Sequence, residues 1–190
     1  MINDSLFEKY KILMISLKEV SEESKKRVVI GDAFFEKNVN FFVKSYLVNI
    51  CTYLESFLQD LALNLSNSIC YRIRDAGVPH NFILWRVLGD VKEKEQKFSN
   101  FSIEITKKDI SNELSANPYK TIKLFKCLGV NLLSCDDFTN NKELVNSIVN
   151  KRNNIVHHND QASDISFDDI IKYVDIFINY MKAIYVAVND

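Results

Sequence analysis

The chain has 190 residues, 47% of them hydrophobic, and its 24 basic and 25 acidic side chains leave a formal charge of -1. That length suits one domain with a sizeable core, and the balanced charge excludes a uniformly basic nucleic-acid-binding surface while leaving room for a local cluster of cations. The 4 glycines and 2 prolines are too few for the tight turns of an all-β protein, and no uncharged run is long enough to cross a bilayer.

From Asp4 to about Arg27, apolar residues at Leu6, Tyr10, Leu13, Leu17 and Val20 recur in steps of three and four, the spacing of an amphipathic helix. The run VVIGDAFF interrupts it, with Gly31 as a turn. The strongest periodic signal follows: Val43, Leu47, Ile50, Leu54, Phe57, Leu61, Leu65 and Ile69 keep the helical step without a miss. They predict one long helix over about residues 39–74, stopped by Gly77 and Pro79. A second apolar row (Tyr46, Cys51, Tyr53, Leu58, Ala62) makes this the central helix, packed on more than one side.

Phe82, Leu84, Trp85 and Leu88 suggest a short helix with Gly89 weakening its middle. The lysine-rich stretch after it, around Lys92, reads as a solvated face. Thr106 caps the next helix, with Asp109 at its third position. Asn117 caps another, Pro118 fills its first turn and Gly129 stops it. After the loop VNLLSCDDF, Thr139 or Asn140 caps a helix starting near Asn141. The last helix spans about residues 166–188. The fold expected is all-α, an up-and-down helical bundle with additional short helices, in a single domain covering the whole chain.

Cys51 and Cys127 fall on apolar helical positions and read as buried free thiols, and none of the four cysteines has zinc-like spacing. Free thiols, together with an N-terminus lacking a signal peptide's apolar region, suit a cytoplasmic protein with no membrane role. Asp136, Asp137, Asp168 and Asp169 invite a metal reading, but adjacent aspartates point to different faces of a helix, and SFDD fits helix capping. No metal or cofactor is expected. His80 follows Pro79 in a turn and is given no chemistry.

The chemistry concentrates in VNKRNNIVHHND. The apolar positions of that helix are Leu144, Val145, Ile148, Val149, Ile155 and Val156, and their spacing calls for an apolar residue at 152. Arg152 stands there instead. A guanidinium in such a row is costly unless it snorkels or is paired. Glu55, beside the apolar stripe of the long helix, suits a polar network beneath it or a charge at the stripe's edge. In an ideal helix His157 is roughly 140° around from Arg152. The two can therefore meet about one substrate only if the helix frays, if the arginine reaches round, or if a second chain completes the site. Asn153 lies four residues before His157 on the same ridge, where it can orient the imidazole.

Arg152, Asn153 and His157 in RNNIVH, within ELVNSIVNKRNNIVHHND, resemble the signature of the HEPN superfamily: an arginine, four to six residues, then a histidine near a helix end. SYLVNICTYLESFLQDLAL is similar to the early core helix of the prokaryotic branches associated with toxins and phage defence. KLFKCLGVNLLSCDDFTNNKEL resembles the approach to their motif helix. The resemblance spans about residues 39–188 and leaves the N-terminal helix, residues 1–28, as an accessory.

The resemblance implies a metal-independent endoribonuclease acting on RNA. It would be a toxin or defence effector restrained by an antitoxin or defence-system partner. RNA carries its own nucleophile, the 2′-hydroxyl; cleavage needs a base, an acid and positive charge at the phosphate. Histidine can serve as acid or base near neutral pH, and arginine holds two phosphate oxygens at once. Arg152 and His157 are the implied catalytic pair, with Asn153, His158 and Glu55 in support; a six-residue register would use His158. A homodimer would set two such pairs across one cleft. A catalytically idle HEPN-type module that binds nucleotide, RNA or protein is the alternative, and a helical scaffold with no site is a third.

Overall fold

The computed structural model describes residues 4–89, 93–158 and 164–189. It is all-α, with no strand among the described residues. The helices are α1 (Asp4–Val29), α2 (Ala33–Lys37), α3 (Val39–Asp75), α4 (His80–Leu88), α5 (Lys107–Glu113), α6 (Pro118–Cys127), α7 (Asp136–His158) and α8 (Phe167–Asn189), with 3-10 turns at Glu93–Glu95 and Leu132–Ser134. The side chains of Asp4, Leu88, Lys94 and His158 lie outside the description, as do Val91 and Lys92 of the lysine-rich stretch.

Four long helices build the core. Helix α1 packs on α3 and α8, α3 on α7 and α8, and α7 on α8. Helix α3 is central because two of its rows are buried: Val43, Leu47, Ile50, Leu54, Phe57 and Leu61 on one, Tyr46, Cys51, Leu58 and Ala62 on the other. Burial stops near Cys70, so the last turns of α3 extend past the packed helices. Helix α1 packs within the bundle, although the family resemblance left it as an accessory: Tyr10, Met14 and Leu17 are buried in the same core cluster.

Several local signals hold. Thr106 and Asp109 form a complete capping box, Asn117 caps α6 with Pro118 in its first turn, and Gly129 follows that helix at φ 87°. Ser166 and Asp169 bond each other's backbone amides and begin α8, while Asp168 pairs with Lys25 at 2.6 Å.

Other expectations need correction. The buried row of α1 runs Tyr10, Met14, Leu17, Ser21, Ser24, leaving Leu13 and Val20 exposed. Two serines belong to it because their hydroxyls donate back to the Leu17 and Val20 carbonyls, which satisfies them without water. Helix α7 starts at Asp136 rather than near Asn141. Two aspartates in its first turn favour that start, and Phe138 anchors it by stacking on Tyr180 at 5.0 Å. Gly89, at φ 78°, ends α4 instead of weakening its middle. Asp32 starts a short helix unforeseen in the sequence, accepting from the Phe34 and Phe35 amides. Cys127 is exposed at the last position of α6.

Candidate functional site

Helix α7 turns Val145, Ile148, Val149 and Ile155 inward, and Arg152 occupies the gap in that row. Its side chain is only 17% exposed, and Nη2 donates to Glu55 Oε2 of α3 at 3.2 Å. The other Glu55 oxygen accepts from Gln59 Nε2 at 3.4 Å, one turn further along α3. One turn in the opposite direction lies Cys51, fully buried. Burial pushes the Cys51 thiol up to about 11, against the downward pull of the Arg152 charge and its hydrogen bond. At neutral pH Cys51 is therefore an uncharged thiol, and Glu55 is the group that answers the guanidinium.

The row Cys51, Glu55, Gln59 is an i, i+4 ridge. From the sequence only Glu55 stood out, because a cysteine and a glutamine beside an apolar stripe carry no charge to question. The pairing is incomplete. Arg152 Nε is buried without a hydrogen-bond partner, and an unmet buried donor costs about 1–3 kcal/mol. That donor keeps the guanidinium short of full satisfaction within one chain.

His157 sits in the last turn of α7 and is exposed. Asn153 is half-buried on the same ridge, yet no hydrogen bond joins it to His157 among the described residues. His158 is helical, but its side chain lies outside the description. Lys151, passed over in the sequence, ties this end of α7 to the approach of α8 by pairing with Asp164 at 2.7 Å. The described residues therefore bring Arg152 and Glu55 together and leave His157 facing solvent.

Two of the three routes to a shared site close on this geometry. The helix stays regular through His158, so fraying does not swing His157 toward Arg152. The arginine is turned onto α3, so it does not reach round the helix. Within one chain, the described geometry does not bring Arg152 and His157 together.

His80 lies against Phe101, with ring centroids 5.7 Å apart, away from this site. Among the described residues no group of three histidine, cysteine or carboxylate side chains converges to hold a metal ion. No described helix is long and apolar enough to cross a membrane.

The sequence model of the family described as RiboL-PSP-HEPN matches residues 11–190. The match takes in most of α1, the helix left outside the resemblance drawn from the motif. No curated protein and no solved structure matches the chain.

Proposed function

The chain belongs to the RiboL-PSP-HEPN family, and from that premise we propose that it is a metal-independent endoribonuclease acting as a dimer. The observation that carries this reading is the position of Arg152: a guanidinium held by Glu55 at the α3–α7 contact, one and a half turns before an exposed histidine. The proposed roles follow from charge and position. Arg152 neutralises the non-bridging oxygens of the scissile phosphate. His157 takes the proton from the 2′-hydroxyl, which attacks phosphorus; the bond to the 5′-oxygen breaks and that oxygen is protonated. A His157 from each of two copies supplies one base and one acid. The products are a 2′,3′-cyclic phosphate and a 5′-hydroxyl.

Exposed Val156, beside His157 on the last turns of α7, supports a seam between copies at this helix end. A toxin or defence effector restrained by a partner protein is the setting that fits an RNA-cleaving module of this kind.

The test is incubation of purified protein with RNA in EDTA, comparing wild type with Arg152→Ala and His157→Ala. Wild type alone is expected to leave cyclic-phosphate ends. Cleavage that survives both substitutions, or that stops with EDTA, refutes the assignment.

A second reading has its own support. Glu55 already engages Arg152, and no described residue orients His157, an arrangement equally suited to a catalytically idle module that binds RNA or protein. Binding without cleavage by wild type would select it.

A further inference from the structure

Beyond the last packed turn of α3 the chain builds an arm. It comprises the end of α3, helix α4 and the segment 93–106. Backbone hydrogen bonds fasten it: Phe101 N donates to Val78 O at 2.7 Å and His80 N to Ser99 O at 3.0 Å. Asn81 accepts from the Lys97 amide at 2.7 Å. These bonds join the start of α4 to residues 97–101.

The arm's surface carries several exposed rings. The chain's one tryptophan, Trp85, is here and 61% exposed. Phe82 lies beside it with ring centroids 6.0 Å apart, Tyr71 is equally open, and Phe98 is 99% exposed. Three of the chain's five arginines, Arg72, Arg74 and Arg86, alternate with these rings along the sequence. The Arg74 guanidinium sits 5.5 Å from the Tyr71 ring centroid. Among the described residues none of the three has a carboxylate within ion-pair distance. The two remaining arginines each meet a carboxylate: Arg27 pairs with Glu23 and Arg152 with Glu55.

We propose that this arm is a platform for single-stranded RNA, with Tyr71, Phe82 and Trp85 stacking on bases and Arg72, Arg74 and Arg86 holding phosphates. The proposal rests on the ribonuclease reading for its choice of nucleic acid. Exposed rings interspersed with guanidiniums that form no ion pair among the described residues match a ligand of flat bases alternating with anions. A protein partner's apolar face would leave those charges unmet as they are desolvated. A duplex hides the base faces, so the strand must be single. Tyr71 lies sixteen residues beyond Glu55 on α3, about 24 Å along the helix axis. The arm therefore anchors substrate at a distance from the scissile phosphate.

Because Trp85 is the sole tryptophan, its fluorescence reports on the arm directly. The full chain is titrated with a single-stranded 2′-O-methyl RNA of about 20 nucleotides, which lacks the attacking hydroxyl and cannot be cleaved. Saturable quenching is expected. The combined substitution Arg72→Gln, Arg74→Gln, Arg86→Gln should weaken binding by about tenfold or more, and the slope of log affinity against log salt should shrink by about two. A duplex of the same length should quench far less.

Absence of saturable quenching overturns the proposal, as does unchanged affinity in the triple variant with its circular dichroism intact. Light scattering supplies a further check. A wild-type oligomer that dissociates on Tyr71→Ala or Trp85→Ala, with RNA affinity unaltered, makes the arm a protein contact and also overturns it. Quenching with no cyclic-phosphate product from natural RNA refutes cleavage alone and leaves the platform standing.

Discussion

Arg152 and Glu55 meet 3.2 Å apart although 97 positions separate them in sequence. The contact joins the middle of α3 to the last turns of α7 and explains how an arginine survives on an apolar stripe. Removing one member of a shielded ion pair strands the other.

Glu55→Ala is therefore expected to destabilise the fold by about 1–3 kcal/mol, read as a lower urea midpoint with an unchanged slope. Glu55→Gln should cost less, since an amide oxygen still accepts from Nη2. Equal stability of wild type and Glu55→Ala would show that the pair contributes nothing.

His157 makes the opposite prediction. Its side chain is exposed, so His157→Ala should leave stability within about 0.5 kcal/mol of wild type. RNA cleavage should fall by about two to four orders of magnitude, the range for loss of a general acid–base group. Full cleavage by His157→Ala would remove the residue from the chemistry.

Arg152→Lys separates charge from shape. A lysine keeps the positive charge but lacks the planar fork that can hold Glu55 and two phosphate oxygens together. Cleavage is expected to drop by about tenfold or more, as one lost charge-assisted hydrogen bond implies. Wild-type turnover in this variant would show that charge alone suffices.

Asp60 gives a pH-dependent test of the bundle. It accepts from Tyr10 Oη of α1 at 2.6 Å and from Lys107 Nζ of α5 at 3.1 Å. Burial pushes its carboxyl up, but the Tyr10 and Lys107 hydrogen bonds, with the Lys107 and Lys9 charges, outweigh that and hold it below the usual carboxylate range. A carboxyl more acidic in the folded than in the unfolded chain contributes fully above its unfolded pKa, and the contribution disappears as pH falls through the folded value. Asp60→Asn should therefore be less stable by about 1–2 kcal/mol near neutrality. The gap should close below about pH 4. A gap that widens in acid would reverse the assignment.

The four cysteines should divide by access. Cys51 and Cys70 are buried, Cys127 is exposed and Cys135 half-buried. A thiol reagent at neutral pH should modify Cys127 first in the native protein. Cys51, fully buried with its thiol pushed up to about 11, should react only as the chain unfolds. Labelling of Cys51 at the rate of Cys127 would contradict the packing of α3 against α7.

Helix α3 was readable because its periodicity is local: side chains three and four apart share a face whatever surrounds them. Its predicted span of 39–74 differs by one residue from Val39–Asp75. The caps at Thr106, Asn117 and Ser166 were readable for a similar reason, since each satisfies amides within three residues of itself. Helix α1 shows the limit. Leu13 and Val20 are as apolar as Leu17, yet they face outward while Ser21 and Ser24 lie inside. The hydroxyl of Ser24 meets Tyr46 of α3 at 2.7 Å, and nothing near residue 24 announces that partner.

The same division runs through the candidate site. Chain order alone marked Arg152 as out of place and set His157 beyond it, because both follow from a helix turning about 100° per residue. Folding chose Glu55 as the counter-charge and left His157 in solvent. Those relationships depend on which face of α3 meets α7, and that orientation is decided by burial summed over all the helices at once. An isolated stretch of sequence carries its own periodicity, whereas the partner across an interface is a property of the whole packed chain.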